Sequence, residues 1–331
     1  LTQSPPLLNV ENLRTHIHTD RGIVRAVDGV SFMLCQGKTL GIVGESGSGK
    51  SVMCRTILRL LPRTAVTPDN SHVSFDGHNL RRLSEKEFNR IRGRYIAMIF
   101  QDPMSSLNPV MKVGKQISET LSHHLGMKRK PARDRAMELM KSVGIPMPEQ
   151  RVNQYPHQLS GGMRQRVAIA IALACNPKLL IADEPTTALD VTVQAEILEL
   201  LARRQSERNM AMILITHDLG VAAGRTSDII VMYAGRIVEQ APARELFSNM
   251  RMPYTRALMD SIPRLENRPH TTLNSIDGQP PDMTSPPRGC CFAPRCSRVR
   301  KQCTETEPAL MSDSRKDHLF ACWYPVGGPA S

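Results

Sequence analysis

Aromatic residues are scarce in this chain: one Trp, five Tyr and seven Phe among 331 positions. With 40% of the residues apolar, a sizeable core can still form, built mainly from Leu, Ile, Val, Met and Ala. Long hydrophobic runs are missing too. None approaches the ~18 apolar residues that a membrane-spanning helix requires, and the longest candidate, Val167–Cys175, is alanine-rich and suits a buried helix. Leu1–Asn9 lacks a basic start and an apolar h-region, so no secretory leader is expected there. Tandem repeats are absent. The length allows two domains, or one large domain with an extension.

The formal charge of +12 is compatible with nucleic acid, an anionic membrane surface or a solvated basic exterior. The most basic run, Lys128-Arg129-Lys130-Pro131-Ala132-Arg133, has no interleaved aromatic to stack on bases. It reads as a solvated helix start or a lipid contact, and no specific nucleic-acid partner is expected.

Gly44–Ser51 is what the chain is organised around. It reads G-E-S-G-S-G-K-S, between the apolar stretch Thr39–Val43 and a helical pattern at Val52–Leu61. Strand, glycine loop and helix in that order make the phosphate-binding loop G-x-x-x-x-G-K-[ST]. Gly44, Glu45, Ser46, Gly47, Ser48 and Gly49 supply backbone N–H groups, and the helix N-terminus adds partial positive charge. Lys50 is suited to the β- and γ-phosphates of ATP, and the Ser51 hydroxyl to Mg²⁺.

Before the loop, Leu7–His16 and Ala26–Cys35 read as strands. Beyond it, Val73–Asp76 is a short strand, and Ser84–Gly93 is a helix opening on the capping box Ser84-Glu85-Lys86-Glu87. Tyr95–Phe100 is a buried strand ending on Gln101. A helical insert follows, its best stretches at Val113–Leu125 and Ala132–Val143, stopped by Gly144-Ile145-Pro146. Leu159-Ser160-Gly161-Gly162-Met163 opens another helix. Lys178–Ala182 is an apolar strand ending on Asp183-Glu184, Val191–Asn209 a helix, and Ala211–Thr216 a strand ending on His217. The last strands are Ile229–Tyr233 and Arg236–Glu239. This alternation points to an α/β fold with a mainly parallel sheet. Pro263, Pro269, Pro280, Pro281, Pro286 and Pro287 then mark a linker or irregular extension.

A glycine loop of this kind needs an acid at the end of a neighbouring strand. Asp183 fits as a Mg²⁺ partner, and Glu184 as the base that takes a proton from the water attacking the γ-phosphate.

These motifs together resemble the ATP-binding cassette (ABC) family. Leu159–Met163 is similar to the L-S-G-G-Q signature, with Met163 where glutamine is usual. Gln101 resembles the Q-loop glutamine, Thr187-Ala188-Leu189-Asp190 the D-loop, and His217 the switch histidine. The resemblance implies a P-loop NTPase (RecA-like) nucleotide-binding domain at 7–262, with a helical subdomain at about 106–160. It further implies a head-to-tail dimer in which Ser160, Gly161 and Gly162 serve the partner's ATP. Asp190 joins the cofactor-binding set, His217 meets the γ-phosphate and the attacking water, and Gln101 senses Mg²⁺. The aromatic that usually stacks on adenine is not found; Ile17, His18 and Val24 stand at the plausible positions.

The strings Gln101–Pro109, Tyr155–Met163, Val231–Gly235 and Pro253–Leu258 resemble the ATPase subunits of bacterial dipeptide and oligopeptide importers. That branch implies a peripheral ATPase on the cytoplasmic face of the inner membrane, docked on two transmembrane permease subunits. It also implies a second, homologous ATPase as heterodimer partner and an extracytoplasmic peptide-binding protein. Alternatives are a soluble ABC ATPase acting on nucleic acid or ribosomes, or an importer of antimicrobial peptides, glutathione or a metal chelate.

The eight cysteines are unevenly placed. Cys35, Cys54 and Cys175 sit singly in apolar stretches, whereas five crowd the end of the chain. Cys290, Cys296, Cys303 and Cys322 are spaced C-x5-C-x6-C-x18-C, with Cys291 an ambiguous neighbour. Four thiolates can hold Zn²⁺ or a [4Fe–4S] cluster, and free thiols or disulfides are the alternatives. The importer branch implies the [4Fe–4S] cluster, in a C-terminal extension spanning 263–331.

Overall fold

The computed structural model describes residues 5–187, 189–262, 276–312 and 317–327. Pro263, Pro269 and Ala188 lie outside the described residues. The chain divides into two units: 1–34, 39–81 and 214–331 form one, and 35–38 and 82–213 the other.

The first unit begins with an antiparallel sheet. Leu8–Thr19 runs through its middle, with Gly22–Leu34 on one side and Ala65–Val66 and His72–Phe75 on the other. Buried Val30, Phe32 and Leu34 alternate with exposed Gly29, Ser31 and Met33, the two-residue period of a sheet with one wet face. Asn12 (φ 48°) sits where the register shifts between Val10 and Leu13, so that both side chains still reach the core. This all-antiparallel portion was not apparent from the alternation of strands and helices.

The unit's second sheet carries the glycine loop. All five residues of Thr39–Val43 are buried, and the strand pairs in parallel with Asp228–Tyr233. Asp228–Tyr233 pairs antiparallel with Arg236–Pro242, whose other edge takes Leu319–Phe320 and then Met311–Ser312. The helix Pro253–Asp260 opens on proline, which lacks the N–H that a first helical turn cannot use. Three aromatics meet here: the rings of Tyr233 and Tyr254 lie 4.6 Å apart, and Phe292 lies 5.4 Å and 5.2 Å from them. Residues 276–290 run through this part without regular secondary structure.

In the second unit, Ile96–Ile99 pairs in parallel with Leu179–Asp183, whose five residues are all buried. The helix Val113–Leu125 has the expected bounds: Val113, Ile117 and Leu121 share its buried face, and Gly126 ends it in the left-handed conformation. Arg129–Ser142 follows. It starts before Ala132 because the basic run forms its first turn, with Lys128, Arg129, Lys130 and Arg133 exposed to solvent. The capping box forms as read: Ser84 Oγ accepts from the Glu87 N–H at 3.4 Å, and Glu87 Oε2 accepts from the Ser84 N–H at 2.9 Å. Helices Gly161–Leu173 and Val191–Glu207 complete this unit. The strand Ala211–Thr216 passes from it into the first.

No helix among the described residues is long and apolar enough to cross a membrane.

Candidate functional site

The glycine loop leaves the buried strand Thr39–Val43 and enters the helix Lys50–Ile57. Its sequence follows from steric demand. A Cβ at Gly44 would lie 2.2 Å from Met232 O, and one at Gly49 (φ 98°) would lie 2.3 Å from Ala26 O, so backbone fills the space on both sides. A Cβ at Gly47 would meet nothing within 4 Å, and Ser46 and Gly47 are exposed, which marks the open side of the loop.

Lys50 is 4% exposed. Its Nζ donates to Gly44 O at 2.6 Å, Glu45 O at 2.9 Å and Ser48 Oγ at 3.4 Å. The ammonium is thus held by the loop's own carbonyls, at the helix end where the backbone dipole also favours an anion. Ser48 is buried and its carbonyl accepts from the Gly235 N–H at 3.0 Å. Ser51 is half-buried.

Glu45 is gripped from outside the motif. Its N–H donates to Tyr254 Oη at 2.9 Å, and its carboxylate receives both guanidinium nitrogens of Arg295, at 2.7 and 2.9 Å. Burial pushes the Tyr254 hydroxyl well above the ordinary phenol range, and the Glu45 hydrogen bonds hold Arg295 even more firmly charged than usual. In the same unit His217 stands exposed just past the strand Ala211–Thr216, and Ile17 pairs with Val24 on the first hairpin beside exposed His18.

The second unit holds the acids. Asp183 is fully buried at the end of its strand. Glu184 follows with φ 46°, a left-handed conformation unusual for a side chain of this kind. Its Oε2 accepts from Gln101 Nε2 at 3.0 Å and from Thr187 Oγ1 at 2.9 Å. Sequence reading placed Gln101 and Glu184 in one motif set but missed Thr187 as a partner of that carboxylate. The spacing of three residues within one turn was the available signal.

Ser160 caps the helix Gly161–Leu173: its Oγ accepts from the Met163 N–H at 3.3 Å. The Gly161 and Gly162 amides fall in the first turn, where no acceptor exists within the helix. A Cβ at Gly162 would come within 2.8 Å of Val193, so the glycine there also permits close packing. Asp190 caps Val191–Glu207 through the Val193 N–H at 3.0 Å.

The iron–sulfur expectation is corrected. Among the described residues, no group of three or more His, Cys, Asp or Glu side chains could hold a metal ion. Cys290, Cys296 and Cys322 instead pack, partly buried, against the apolar cluster that contains Tyr233, Tyr254 and Phe292, and Cys303 is buried. With Cys303 they line a small cavity of about 20 Å³, room for one water. Burial pushes the Cys290 thiol up to about 11 and Cys322 up to about 12, and raises Cys296. Spacing alone could not reveal this apolar surrounding.

Two family models match the chain: "ABC transporter" over residues 27–187, and "Oligopeptide/dipeptide transporter, C-terminal region" over residues 238–303. The oligopeptide transport ATP-binding protein OppD of Bacillus subtilis is 52% identical over 317 residues, covering 96% of this chain and 88% of that protein. The dipeptide transport ATP-binding protein DppD of Lactococcus lactis is 52% identical over 318 residues, covering 96% and 90%. Among solved structures, the dimeric ATP-binding cassette MJ0796 bound to ADP and Pi superposes with a TM-score of 0.64 at 31% identity, covering 72% of this chain and 99% of that one. The chain belongs to the ABC transporter family, among its oligopeptide and dipeptide transport ATP-binding proteins.

Proposed function

We propose that this chain is the ATP-binding and ATP-hydrolysing subunit of an importer of short peptides, energising transport through membrane permease partners. The observation that carries the reading is similarity at about half of all positions along 96% of the chain, through both the nucleotide-binding region and the C-terminal region. The ATPase domain spans 7–262 and the extension 263–331.

Residue roles follow motif order. Gly44, Glu45, Ser46, Gly47, Ser48, Gly49 and Lys50 bind the phosphates, with the buried Lys50 ammonium already aimed into the loop. Ser51, Asp183 and Gln101 would hold Mg²⁺, which when bound offsets phosphate charge. Glu184, held at Oε2 by Gln101 and Thr187, is the general base that takes a proton from the attacking water. His217 contacts the γ-phosphate. Ser160, Gly161 and Gly162 present a helix N-terminus to the ATP of a second ATPase subunit, and Asp190 lies in the same family motif set. That subunit is a different homologous chain, and both work on the cytoplasmic face of the membrane with an extracytoplasmic peptide-binding protein.

Purification in mild detergent with associated subunits, followed by ATPase assays across a panel of di- and oligopeptides, tests this. Peptide-stimulated hydrolysis is expected. An intact complex whose ATPase answers no peptide, but answers glutathione or a metal chelate, would overturn the cargo.

A further inference from the structure

Residue Glu45 of the glycine loop is held at three points. Its carbonyl receives Lys50 Nζ at 2.9 Å, its N–H reaches Tyr254 Oη at 2.9 Å, and its carboxylate takes the bidentate Arg295 fork at 2.7 and 2.9 Å. The first contact is local to the loop. The other two come from 209 and 250 residues further along the chain. None of the nucleotide-binding motifs includes Tyr254 or Arg295.

Both partners are themselves fixed. The Arg295 side chain is 4% exposed. Its remaining hydrogen bonds go to Tyr233 Oη at 3.3 Å, Asp277 O at 2.9 Å and Ile276 O at 3.1 Å, so every guanidinium nitrogen has an acceptor. Tyr254 is fully buried against Tyr233 and Phe292. A bidentate arginine–carboxylate pair fixes orientation as well as distance. Here it fixes the peptide group whose oxygen holds the phosphate-binding ammonium.

We propose that Arg295 and Tyr254 are positioning residues of the nucleotide site: acting through Glu45, Arg295 of the C-terminal extension and Tyr254 of the helix Pro253–Asp260 set the shape of the glycine loop and hence the affinity for ATP. The inference rests on the reading of Gly44–Ser51 as the ATP site. It adds that this site is built jointly with a segment outside the nucleotide-binding motifs. Without the fork, Glu45 is left as a half-buried carboxylate beside the incoming phosphates, and the loop must be ordered at the expense of binding.

The test is equilibrium ATP binding and steady-state ATPase on the full chain. Arg295→Met is expected to raise the ATP dissociation constant and KM about tenfold, the loss of one buried charge-assisted contact, with kcat changed less than about twofold. Arg295→Lys keeps the charge but not the fork, and should fall between the two. Tyr254→Phe keeps the ring and removes only the acceptor, for a loss of about threefold. If Arg295→Met does not fold, that variant decides. Combining Arg295→Met with Glu45→Gln should weaken binding no further than Arg295→Met alone. Unchanged ATP affinity in the folded variants overturns the proposal, as does a double-variant loss equal to the product of the single losses. A wild-type chain that binds no ATP would instead overturn the nucleotide reading itself.

Discussion

Gln101 Nε2 donates to Glu184 Oε2 at 3.0 Å, and Thr187 Oγ1 reaches the same oxygen at 2.9 Å. Two donors on one oxygen fix the plane and direction of the carboxylate. Glu184→Gln should retain ATP binding while kcat falls by about 10²–10⁴, the usual contribution of a general base. Single-turnover hydrolysis checks it, and retained turnover would remove Glu184 from that role. Thr187→Val loses one orienting bond and should lower kcat by about tenfold at most with KM unchanged.

Lys50→Ala acts on a different step. The ammonium that Gly44 O and Glu45 O hold disappears, so ATP binding itself should weaken by at least about tenfold. Titration with a fluorescent ATP analogue measures this. Normal binding with slow hydrolysis would place Lys50 in chemistry alone.

Gly49→Ala should fail for steric reasons. Position 49 has φ 98°, and its Cβ would lie 2.3 Å from the backbone oxygen of Ala26, which cannot swing aside as a side chain would. A cost of about 1–3 kcal/mol is expected for the backbone alone, read as a lower midpoint of thermal or urea unfolding. Gly47→Ala, projecting into open space, carries only the conformational part of that cost.

The second unit should lose stability in acid through His124. Burial lowers its pKa below 6.5, and the charges of His123 and Arg94 lower it further. The unfolded chain therefore takes up a proton at a higher pH than the folded one. The stability that neutral His124 contributes is present above about pH 6.5 and drains away as pH falls through the folded value. Unfolding midpoints measured from pH 8 to pH 5 should fall less steeply for His124→Gln. Equal slopes would exclude this histidine as the cause.

Sequence made the local features legible. Ser84 and Glu87 lie three residues apart, so their capping box needs nothing but the chain around it. The loop Gly44–Ser51 likewise carries its own reasons in its glycines. Arg295 and Glu45 are separated by 250 residues, and an arginine closing the short 3-10 turn Ala293–Arg295 gives no sign of its partner. The antiparallel pairing of Leu8–Thr19 with three other strands was hidden for a related reason: partners are chosen by the tertiary fold, while alternation of strands and helices speaks only of order along the chain. The cysteines mislead from the opposite side. Their spacing is a strong pattern, but whether thiols meet as ligands or as small apolar groups depends on burial, which Phe292 and the tyrosines decide.

The short strand Leu319–Phe320 lies against Glu239 and Gln240 at the outer edge of Arg236–Pro242. Just behind it, buried His318 sits 2.8 Å from the carboxylate of Glu239, which also accepts from the Arg251 and Met252 N–H groups at 2.6 and 3.1 Å. Residues 318–320 are therefore latched over a sheet margin. Trimming the chain back past His318 would bare that margin's amide and carbonyl row and strip Glu239 of a buried neighbour. An uncovered edge is a template for strands of other molecules. A version cut back past His318 should therefore self-associate, which size-exclusion chromatography would show as a concentration-dependent shift to larger species.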